Sequence, residues 1–476
     1  LFRSEISIMG KQNIKANIAK HREALEKMAL DIWAKPEAGF REFNATKLQQ
    51  DYLKNMGAKI TSPVDVVETA FIAEYGSGKP IIGILGEFDA LPGLSQKAGL
   101  TVQDPLEPGA YGHACGHNLL GTAGVLAFAA LMDTMKEENL PGTLRFYACP
   151  AEENLSGKSY MARAGVFNDL DCCLTYHPGN QDAVSGGSNN AYTLMEFYFK
   201  GIPAHAGGAP WLGRSALDAV ELMNVGCNYL REHIIDGGRM HYIIIDGGMA
   251  PNIVPATAAV RYSVRAPKMD QMQDIVRRLI LCAEGAAHMT ETTMTYSVKS
   301  VMHNMMPNYT MNEIMYENLC QVTPTEFTDE EKKFMDDMVA TYAPEAIAAA
   351  CKQYGFSSAE LEHGMRMKPV LYGDKSQCGG GSTDVGDVSY ITPTAQFTTA
   401  CAPIPVSAHT WQSCSCYGTS VGTKGMIRAG EAMALTGYDL FTDKKDVIEK
   451  AKEELKADLD GATYTPIPDD MMPYYD

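Results

Sequence analysis

A cysteine and two histidines lie within the segment 111–118, which reads YGHACGHN. Cys115 stands between His113 and His117, and zinc is bound in proteins by thiolate and imidazole. A lone cysteine is more often a small buried hydrophobic residue, but two imidazoles so close to a thiol are costly in a plain apolar core. We therefore interpret Cys115 and His117 as candidate metal ligands, and His113 as a structural or supporting residue.

Further metal-ligand side chains follow predicted strands. These residues are Asp89, Glu152, Glu153 and His177, which come after the apolar runs 81–85, 143–148 and 172–176. In an open α/β sheet, ligands bind at the carboxyl ends of the strands, so these side chains are expected to converge. Cys115 and His117 begin a predicted helix, whose dipole favours a thiolate. The spacing therefore predicts a metal centre at one edge of a sheet.

The adjacent carboxylates Glu152 and Glu153 permit a division of labour. One can bind a metal ion while the other accepts a proton from water as a general base. Thiolate and imidazole favour Zn, carboxylates also admit Mn, and a thiolate or carboxylate between two ions would bridge them. Asp89 is suited to orienting a metal-bound imidazole. His409, in a loop rich in Pro, Ser and Thr, carries no such signal by itself.

Composition limits the classes of function that fit the chain. With 476 residues, 45% hydrophobic and 21% charged, it is expected to form two or three ordinary globular domains. The net charge is -18 without a cluster of Lys or Arg, which argues against a nucleic-acid partner. The 12 cysteines are not spaced as in a disulfide scaffold, so we expect reduced thiols and a cytoplasmic location. We find no secretory signal and no apolar run long enough to cross a membrane, so no membrane partner is expected.

The order of predicted elements divides the chain into two kinds of structure. Strands and helices alternate in the first part, as in an α/β domain with a helix-covered, mostly parallel sheet. Between 191 and 305 the order becomes β-α-β-β-α-β, which is the ferredoxin-like α+β pattern. We therefore predict a discontinuous catalytic metal-binding domain, 9–190 and 306–476, with an inserted domain at 191–305. The last residues, rich in Pro, Asp and Tyr, are expected to form a loosely held tail.

Several long motifs are similar to those of the aminoacylase/carboxypeptidase family of dinuclear metallohydrolases. Within that family, the chain most resembles the amidohydrolase branch, which carries His-Ala-Cys-Gly-His and Glu-Glu. The similar segments are 83–95, 112–124, 150–157, 165–178, 201–223, 249–267, 382–388 and 408–412. The resemblance covers nearly the whole chain and implies a metal-dependent hydrolase of linear amides.

The resemblance implies a role for each motif residue of the predicted metal centre. The ligands of two divalent ions per subunit, Zn or Mn, would be Cys115, His117, Glu153, His177 and His409. Cys115 would bridge the two ions. Glu152 would be the general base, and Asp89 would be its companion that orients a ligand.

The same resemblance implies how the substrate is bound. The inserted domain would be a lid and dimerisation domain, whose His205 would reach into the partner's active site and polarise the scissile carbonyl. Asn252 and Arg265 occupy positions where the family holds carboxylate or carbonyl oxygens, and the glycine loop around Gly380 could offer N–H groups to a carboxylate. The implied substrate is an N-acyl or N-aroyl amino acid, and p-aminobenzoyl-glutamate is the one favoured. The implied assembly is a homodimer, or a pair with a related subunit.

Two positions depart from the family pattern. Glu87 stands where the wider family has a histidine ligand, and this loss is tolerable if His117 replaces that ligand. Asn118 stands where the amidohydrolase branch usually has an aspartate. The second departure argues against transferring the substrates of other branch members to this chain.

Other functions fit parts of the same pattern. An N-acyl amino acid deacylase or a dipeptidase would use the same dinuclear chemistry on another substrate. Alternatively, Cys115 would be a thiol nucleophile with His117 or His177 as its base. A third class is a protein that only binds a metal or sequesters a substrate. Such a protein would need no general base, so the presence of both Glu152 and Glu153 argues against this class.

Overall fold

A mixed eight-stranded sheet carries the predicted metal centre, in a computed structural model that describes residues 2–475 and the side chains of residues 9–475. The strands of the chain are β1 (Lys59–Thr61), β2 (Phe71–Ser77), β3 (Ile81–Gly86), β4 (Gly142–Ala148), β5 (Cys172–Gly179), β6 (Gln181–Val184), β7 (Ala191–Lys200), β8 (Arg239–Asp246), β9 (Thr257–Ala266), β10 (Thr293–Met302), β11 (Arg366–Leu371) and β12 (Thr394–Ala400). The large sheet has the order β1-β2-β4-β3-β5-β12-β6-β11.

The centre of the large sheet is parallel. β3 pairs in parallel with β4 and with β5, and β5 pairs in parallel with β12. The antiparallel pairs lie outside this centre, where β2 meets β1 and β4, and where β12 meets β6. The apolar run of β3 is buried on both faces, as expected for a strand covered by helices on two sides. The prediction of a mostly parallel, helix-covered sheet is therefore confirmed.

Helices cover both faces of the large sheet. The α-helices are α1 (Phe2–Trp33), α2 (Phe43–Asn55), α3 (His117–Glu138), α4 (Gly157–Arg163), α5 (Ala216–Leu230), α6 (Met269–Thr290), α7 (Tyr309–Leu319), α8 (Asp329–Val339), α9 (Pro344–Gln353), α10 (Val385–Ile391), α11 (Trp411–Tyr417), α12 (Ser420–Phe441) and α13 (Lys445–Leu459). On one face, α3 packs against the sheet and between α1 and α12. On the other face, α4 and α10 pack together over β3 and β4.

Helix α3 is long and apolar enough to cross a membrane by length and composition alone. The apolar stretch that meets this test is entirely buried inside the protein. Its neighbours are the sheet and the helices α1 and α12, so it is the central core helix of the larger part of the chain.

A second sheet, with the antiparallel order β10-β7-β9-β8, is formed by the inserted segment. Helices α5 and α6 pack together against it, and the side chains between them form a separate apolar core. Along the chain the elements follow as β7-α5-β8-β9-α6-β10, which confirms the predicted ferredoxin-like order. The exact domain limits of 191 and 305 stay a prediction.

The C-terminal segment after α13 is held against the larger part of the chain. Ile467 and Met471 are buried in the core on the α4 side of the sheet. The Arg163 guanidinium donates hydrogen bonds of 2.8 Å to the carbonyl oxygens of Pro468 and Met471. The expectation of a loosely held tail is therefore wrong, because buried apolar side chains and an arginine fix it in place.

Candidate metal centre

The predicted ligand segments meet at the carboxyl end of the parallel strands. Glu87 and Asp89 follow β3, the Glu152-Glu153 pair follows β4, and His177 lies at the end of β5. Helix α3 begins at His117, directly after Gly116, whose φ is +82°. A side chain at Gly116 would lie 3.0 Å from those of Pro178 and Tyr417. The turn therefore needs glycine to bring the ligand run beside the end of β5.

His409 reaches this edge from a distant part of the chain. Its backbone N–H donates a 2.9 Å hydrogen bond to the carbonyl oxygen of Ala114, next to Cys115. The φ of His409 is +65°, a left-handed conformation that is rare outside glycine and common at functional sites. The structure thus places His409, which carried no signal of its own in the sequence, beside the cysteine.

Two groups of three potential ligand atoms share one sulfur. We call their members the Cys115 cluster: Cys115, His117, His177, Glu153 and His409. The first group joins Cys115 to His117 and His177, and the second joins Cys115 to Glu153 and His409, with the ligand atoms of each group within 4.8 Å of one another. A thiolate common to both groups is suited to bridging two ions.

The separations in the Cys115 cluster fit metal coordination. The Cys115 Sγ lies 3.4 Å from the His177 Nε2, and the His409 Nε2 lies 3.5 Å from the Glu153 Oε1. Two ligands on one tetrahedral Zn²⁺ stand roughly 3.3–3.6 Å apart, given metal–ligand bonds of about 2.0–2.3 Å. The His117 Nε2 and the Glu153 Oε1 are buried and have no hydrogen-bond partner among the described residues. Such orphaned polar atoms are costly unless a further group, such as a cation, satisfies them.

Asp89 connects two of the ligand segments. Its Oδ1 accepts a 2.8 Å hydrogen bond from the His117 Nδ1, which leaves the Nε2 lone pair of that ring free for a metal ion. Its Oδ2 accepts a 2.8 Å hydrogen bond from the backbone N–H of Glu153. This geometry supports the predicted role of Asp89 as the residue that orients a ligand.

Burial and neighbouring charges determine the protonation of the ligands. Burial, with a contribution from Glu153, raises the pKa of the Cys115 thiol well above its ordinary value. Burial and the nearby His117 lower the pKa of His177, which keeps that imidazole neutral and able to bind a metal. Burial lowers the pKa of His117, but Cys115 and Asp89 beside it raise that pKa well above its ordinary value. A bound cation would replace the protons of Cys115 and His117.

Glu152 lies beside the cluster with a strongly shifted acidity. Its Oε2 is 3.9 Å from the His117 Nε2. Burial, with Glu87 and Glu153 adding to it, raises the pKa of Glu152 well above its ordinary value. The preceding residue, Ala151, has a φ of +55°, and Glu152 is buried. A raised pKa favours the return of a proton that the carboxylate has accepted.

Within the described part of the chain, His205 and Asn252, the substrate-binding residues predicted in the inserted domain, contact each other's loop segments and not the Cys115 cluster. His205 is exposed, and its Nδ1 accepts hydrogen bonds from the backbone N–H groups of Gly207 and Gly208 at 3.2 and 2.9 Å. The ring proton of the neutral imidazole therefore lies on Nε2, which is free to donate to a carbonyl oxygen. Asn252 lies next to His205, because its carbonyl oxygen accepts a 3.1 Å hydrogen bond from the N–H of Ala206. Within residues 2–475, the hydrogen bonds of His205 and Asn252 do not reach the Cys115 cluster.

Arg265 is brought to the glycine loop. Its guanidinium donates a 2.8 Å hydrogen bond to the Ser382 hydroxyl and lies over the ring of Tyr192, 4.9 Å from the centroid. Gly380 is exposed in the same loop. The structure therefore joins Arg265 to the Gly380 loop, whereas His205 and Asn252 form a separate group on the inserted domain.

Three charged residues near the cluster were not predicted as a group. The Lys158 Nζ lies 2.6 Å from a carboxylate oxygen of Glu87 and 2.6 Å from one of Asp384, and all three side chains are buried. From its sequence position, Glu87 marks the loss of a histidine ligand, and Lys158 has no predicted role. A lysine in a short helix directly after the Glu-Glu pair is the signal that could have pointed to this group.

Comparison with known proteins gives matches over nearly the whole chain. The family described as Peptidase family M20/M25/M40 matches residues 83–376. One of the subunits of the p-aminobenzoyl-glutamate hydrolase of Escherichia coli is 40% identical over 96% of this chain and 97% of its own length. The Xaa-Arg dipeptidase of Mus musculus is 26% identical over 94% of this chain and 93% of its own length.

Solved structures share the fold at low sequence identity. An aminobenzoyl-glutamate utilization protein from Klebsiella pneumoniae has a TM-score of 0.61 at 17% identity, and covers 90% of this chain and 98% of its own. A dinuclear metal-binding peptidase of the M20 family from Bacillus subtilis has a TM-score of 0.56 at 18% identity, and covers 90% of this chain and 99% of its own.

Proposed function

The chain belongs to peptidase family M20/M25/M40 and is a hydrolase of that family, and on this basis we propose that it cleaves p-aminobenzoyl-glutamate to p-aminobenzoate and glutamate. The observation that carries the amidohydrolase chemistry is the pair of ligand groups joined at Cys115, with Glu152 beside them. The substrate is supported by the activity of the Escherichia coli hydrolase, whose matching subunit is similar to this chain over nearly its full length. Breakdown products of folate would be the metabolic context.

We propose that the Cys115 cluster holds two divalent ions, Zn or Mn, with Cys115 between them. When bound, they would supply the positive charge that makes water acidic near neutral pH and polarises the amide carbonyl. The Glu152 carboxylate accepts a proton from the attacking water and returns it to the leaving nitrogen. Asp89 holds the His117 ring in the tautomer that presents Nε2.

We propose that the substrate is bound between the two domains. Arg265 and the N–H groups around Gly380 would hold the carboxylates of the glutamate part, and Asn252, which lies beside His205, would bind a carboxylate or carbonyl oxygen of the substrate. His205 would donate from its Nε2 to the scissile carbonyl of a substrate bound in the partner protomer. This role is supported by the His205 tautomer and by the exposure of its ring on the inserted domain.

We propose a homodimer that works in the cytoplasm. A cytoplasmic location is supported by the cysteines among the described residues, which are free thiols. A pair with a related subunit is the second candidate assembly, because the Escherichia coli hydrolase also has a different subunit, which is 31% identical over 37% of this chain and 41% of its own length.

A panel of amides tests the proposed substrate. The purified full chain, loaded with Zn or Mn, should release p-aminobenzoate from p-aminobenzoyl-glutamate with a kcat/KM at least about tenfold above that for N-acetyl amino acids and dipeptides, which corresponds to roughly 1.4 kcal/mol of discrimination. Metal content is measured on the same sample. If a dipeptide such as Xaa-Arg has the highest kcat/KM of the panel, the result would favour the activity named for the Mus musculus relative. No hydrolysis of any panel member by metal-loaded protein would overturn the amidohydrolase proposal.

Subunit complementation tests the proposed role of His205. His205→Ala and Glu152→Gln should each be inactive as homodimers, since each lacks one part of every active site. Random exchange should restore up to about a quarter of the wild-type activity, because half of the dimers are mixed and each has one intact site.

The control for this experiment is His288→Ala, an exposed histidine on the same domain, which should stay active alone. Mixed dimers detected by mass without any recovered activity would contradict a histidine that acts across the interface. Full activity of the His205→Ala homodimer would contradict any role for His205 in the reaction.

A further inference from the structure

A single buried lysine binds two buried carboxylates beside the Cys115 cluster. The Lys158 Nζ contacts the Glu87 Oε1 and the Asp384 Oδ1 at 2.6 Å each, and the backbone N–H of Lys158 donates a 2.8 Å hydrogen bond to the Asp384 Oδ2. Lys158 and Asp384 are completely buried, and Glu87 is nearly so. Removing ions from water is strongly unfavourable unless each is well paired. The lysine is therefore fixed at both ends, and so is the Glu87 oxygen that it binds.

The second carboxylate oxygen of Glu87 has no hydrogen-bond partner among the described residues. The Glu87 Oε2 is buried, lacks a hydrogen bond among the described residues, and lies 3.3 Å from the His117 Nε2, which also lacks one. The Nδ1 of the same ring is bonded to Asp89. When the only ring proton of His117 is on Nδ1, both of these atoms are acceptors, and a cation between them would offset their repulsion. The separation is also that of two ligands on one tetrahedral ion with bonds of about 2.0–2.1 Å.

The charge of Glu87 fits a metal ligand. The Lys158 ammonium group, 2.6 Å from the Glu87 Oε1, favours the charged form of this side chain, which is the form that binds a metal ion. The ligand atoms of Glu87 and His117 lie within 4.8 Å of each other and of a carboxylate oxygen of Glu152, the proposed base. Glu87 thus shares His117 with the first ligand group of the Cys115 cluster.

We propose that Glu87 is a further ligand, through its Oε2, of the ion held by His117, and that Lys158 is the positioning residue that turns this oxygen toward the ion. The proposal rests on the proposed dinuclear function and adds a carboxylate to one of its two sites. Lys158 acts by holding Oε1, which fixes the rotation of the carboxylate, and Asp384 holds Lys158 from the other side. Glu87 then takes part in metal binding instead of marking only the loss of a histidine.

Metal affinity in the full chain tests this assignment. Wild type, Glu87→Gln, Lys158→Met and the double variant are titrated with Zn²⁺ in competition with a chromophoric chelator. Co²⁺ titrations report the same site through the absorption of the Cys115 thiolate–cobalt bond. We expect two ions in the wild type, and one of them bound roughly 10–100-fold more weakly in Glu87→Gln and in Lys158→Met.

The double variant separates positioning from structural support. If Lys158 acts through Glu87, the double variant should bind metal no more weakly than the worse single variant, whereas independent effects would multiply. Asp384→Asn is included in case the Lys158 variants fail to fold. It keeps the Lys158–Glu87 ion pair and an amide oxygen that can accept the hydrogen bond of the Lys158 N–H. It should bind both ions within about threefold of wild type, since its effect on Glu87 is only indirect.

Glu431→Gln is the matched control, a buried glutamate that accepts hydrogen bonds from Thr323, and its metal affinity should equal that of wild type. Wild-type affinity for both ions in a folded Glu87→Gln variant would overturn the proposal. A Lys158→Met variant that loses only thermal stability would overturn the positioning role. A wild-type chain that binds no metal would instead defeat the proposed function, so the two failures are distinguishable.

Discussion

Glu152→Gln is expected to lower kcat on p-aminobenzoyl-glutamate by about 10²–10⁴-fold, which is the usual contribution of a general base. Both metal ions and the substrate should stay bound. Glutamine keeps the size of the side chain and its place in the turn after Ala151, but it cannot accept the proton of water. Burial, Glu87 and Glu153 raise the pKa of Glu152, which suits a group that must also return the proton. Metal content, substrate Kd and single-turnover rates on the variant separate these effects.

Glu153→Gln is the natural comparison, because the two carboxylates are adjacent and play different roles in the proposal. The Glu153 Oε1 is 3.5 Å from the His409 Nε2 within the Cys115 cluster, so this variant should lose metal affinity as well as activity. Loss of metal in Glu152→Gln but not in Glu153→Gln would reverse the two assignments. Near-normal turnover by Glu152→Gln would show that another group is the base.

The parallel centre of the sheet could be predicted because its strands are short apolar runs without alternation. β3 and β5 are of this kind, and α3, the helix that follows β3, has the apolar composition of a core helix. β12 was not predicted, since its sequence TAQFTTA is mostly polar, although it pairs with β5 from Cys173 to Gly179. Its burial depends on partners far away in the sequence, and local patterns carry no such information.

The site shows the same limit. The run around Cys115 and the Glu-Glu pair could be recognised because several ligand types occur within a few residues. His409 had no local signal, and its position depends on a backbone hydrogen bond to Ala114. Lys158 and Asp384 are separated by 226 residues in the chain. Only the folded structure therefore reveals that the Lys158 ammonium group, held by Asp384, fixes the Glu87 carboxylate. Motifs therefore predicted the candidate ligands, whereas the groups that hold these side chains in place required the structure.

Cys115→Ser is expected to abolish detectable hydrolysis and to reduce the metal content below two ions per chain. Its sulfur belongs to both ligand groups of the Cys115 cluster. Among the described residues, Cys115 is the one member that these two groups share. A serine hydroxyl has nearly the same size but does not ionise near neutral pH, so it cannot replace a bridging thiolate. One substitution therefore weakens both sites together, and metal content measured alongside activity records the loss.

Cys149→Ser is the matched control for this variant. Cys149 is also buried near the end of β4, and its thiol donates a hydrogen bond to the carbonyl oxygen of Tyr147 that a hydroxyl can keep. It should retain two metal ions and wild-type turnover. A loss of metal in this variant as well would mean that the result for Cys115 reflects general damage to the core.

The alternative of a cysteine nucleophile makes opposite predictions for the same protein. A chelator should inactivate the metal enzyme, with Zn or Mn restoring it, whereas a thiol hydrolase would keep its activity without metal. Peptide mapping after iodoacetamide adds a structural readout, with the exposed Cys320 and Cys378 as internal standards. Metal should protect Cys115 from alkylation but leave the two exposed thiols reactive. Activity that survives chelation and is lost only when Cys115 is alkylated would establish the nucleophile, because a bridging thiolate has no function once its ions are gone.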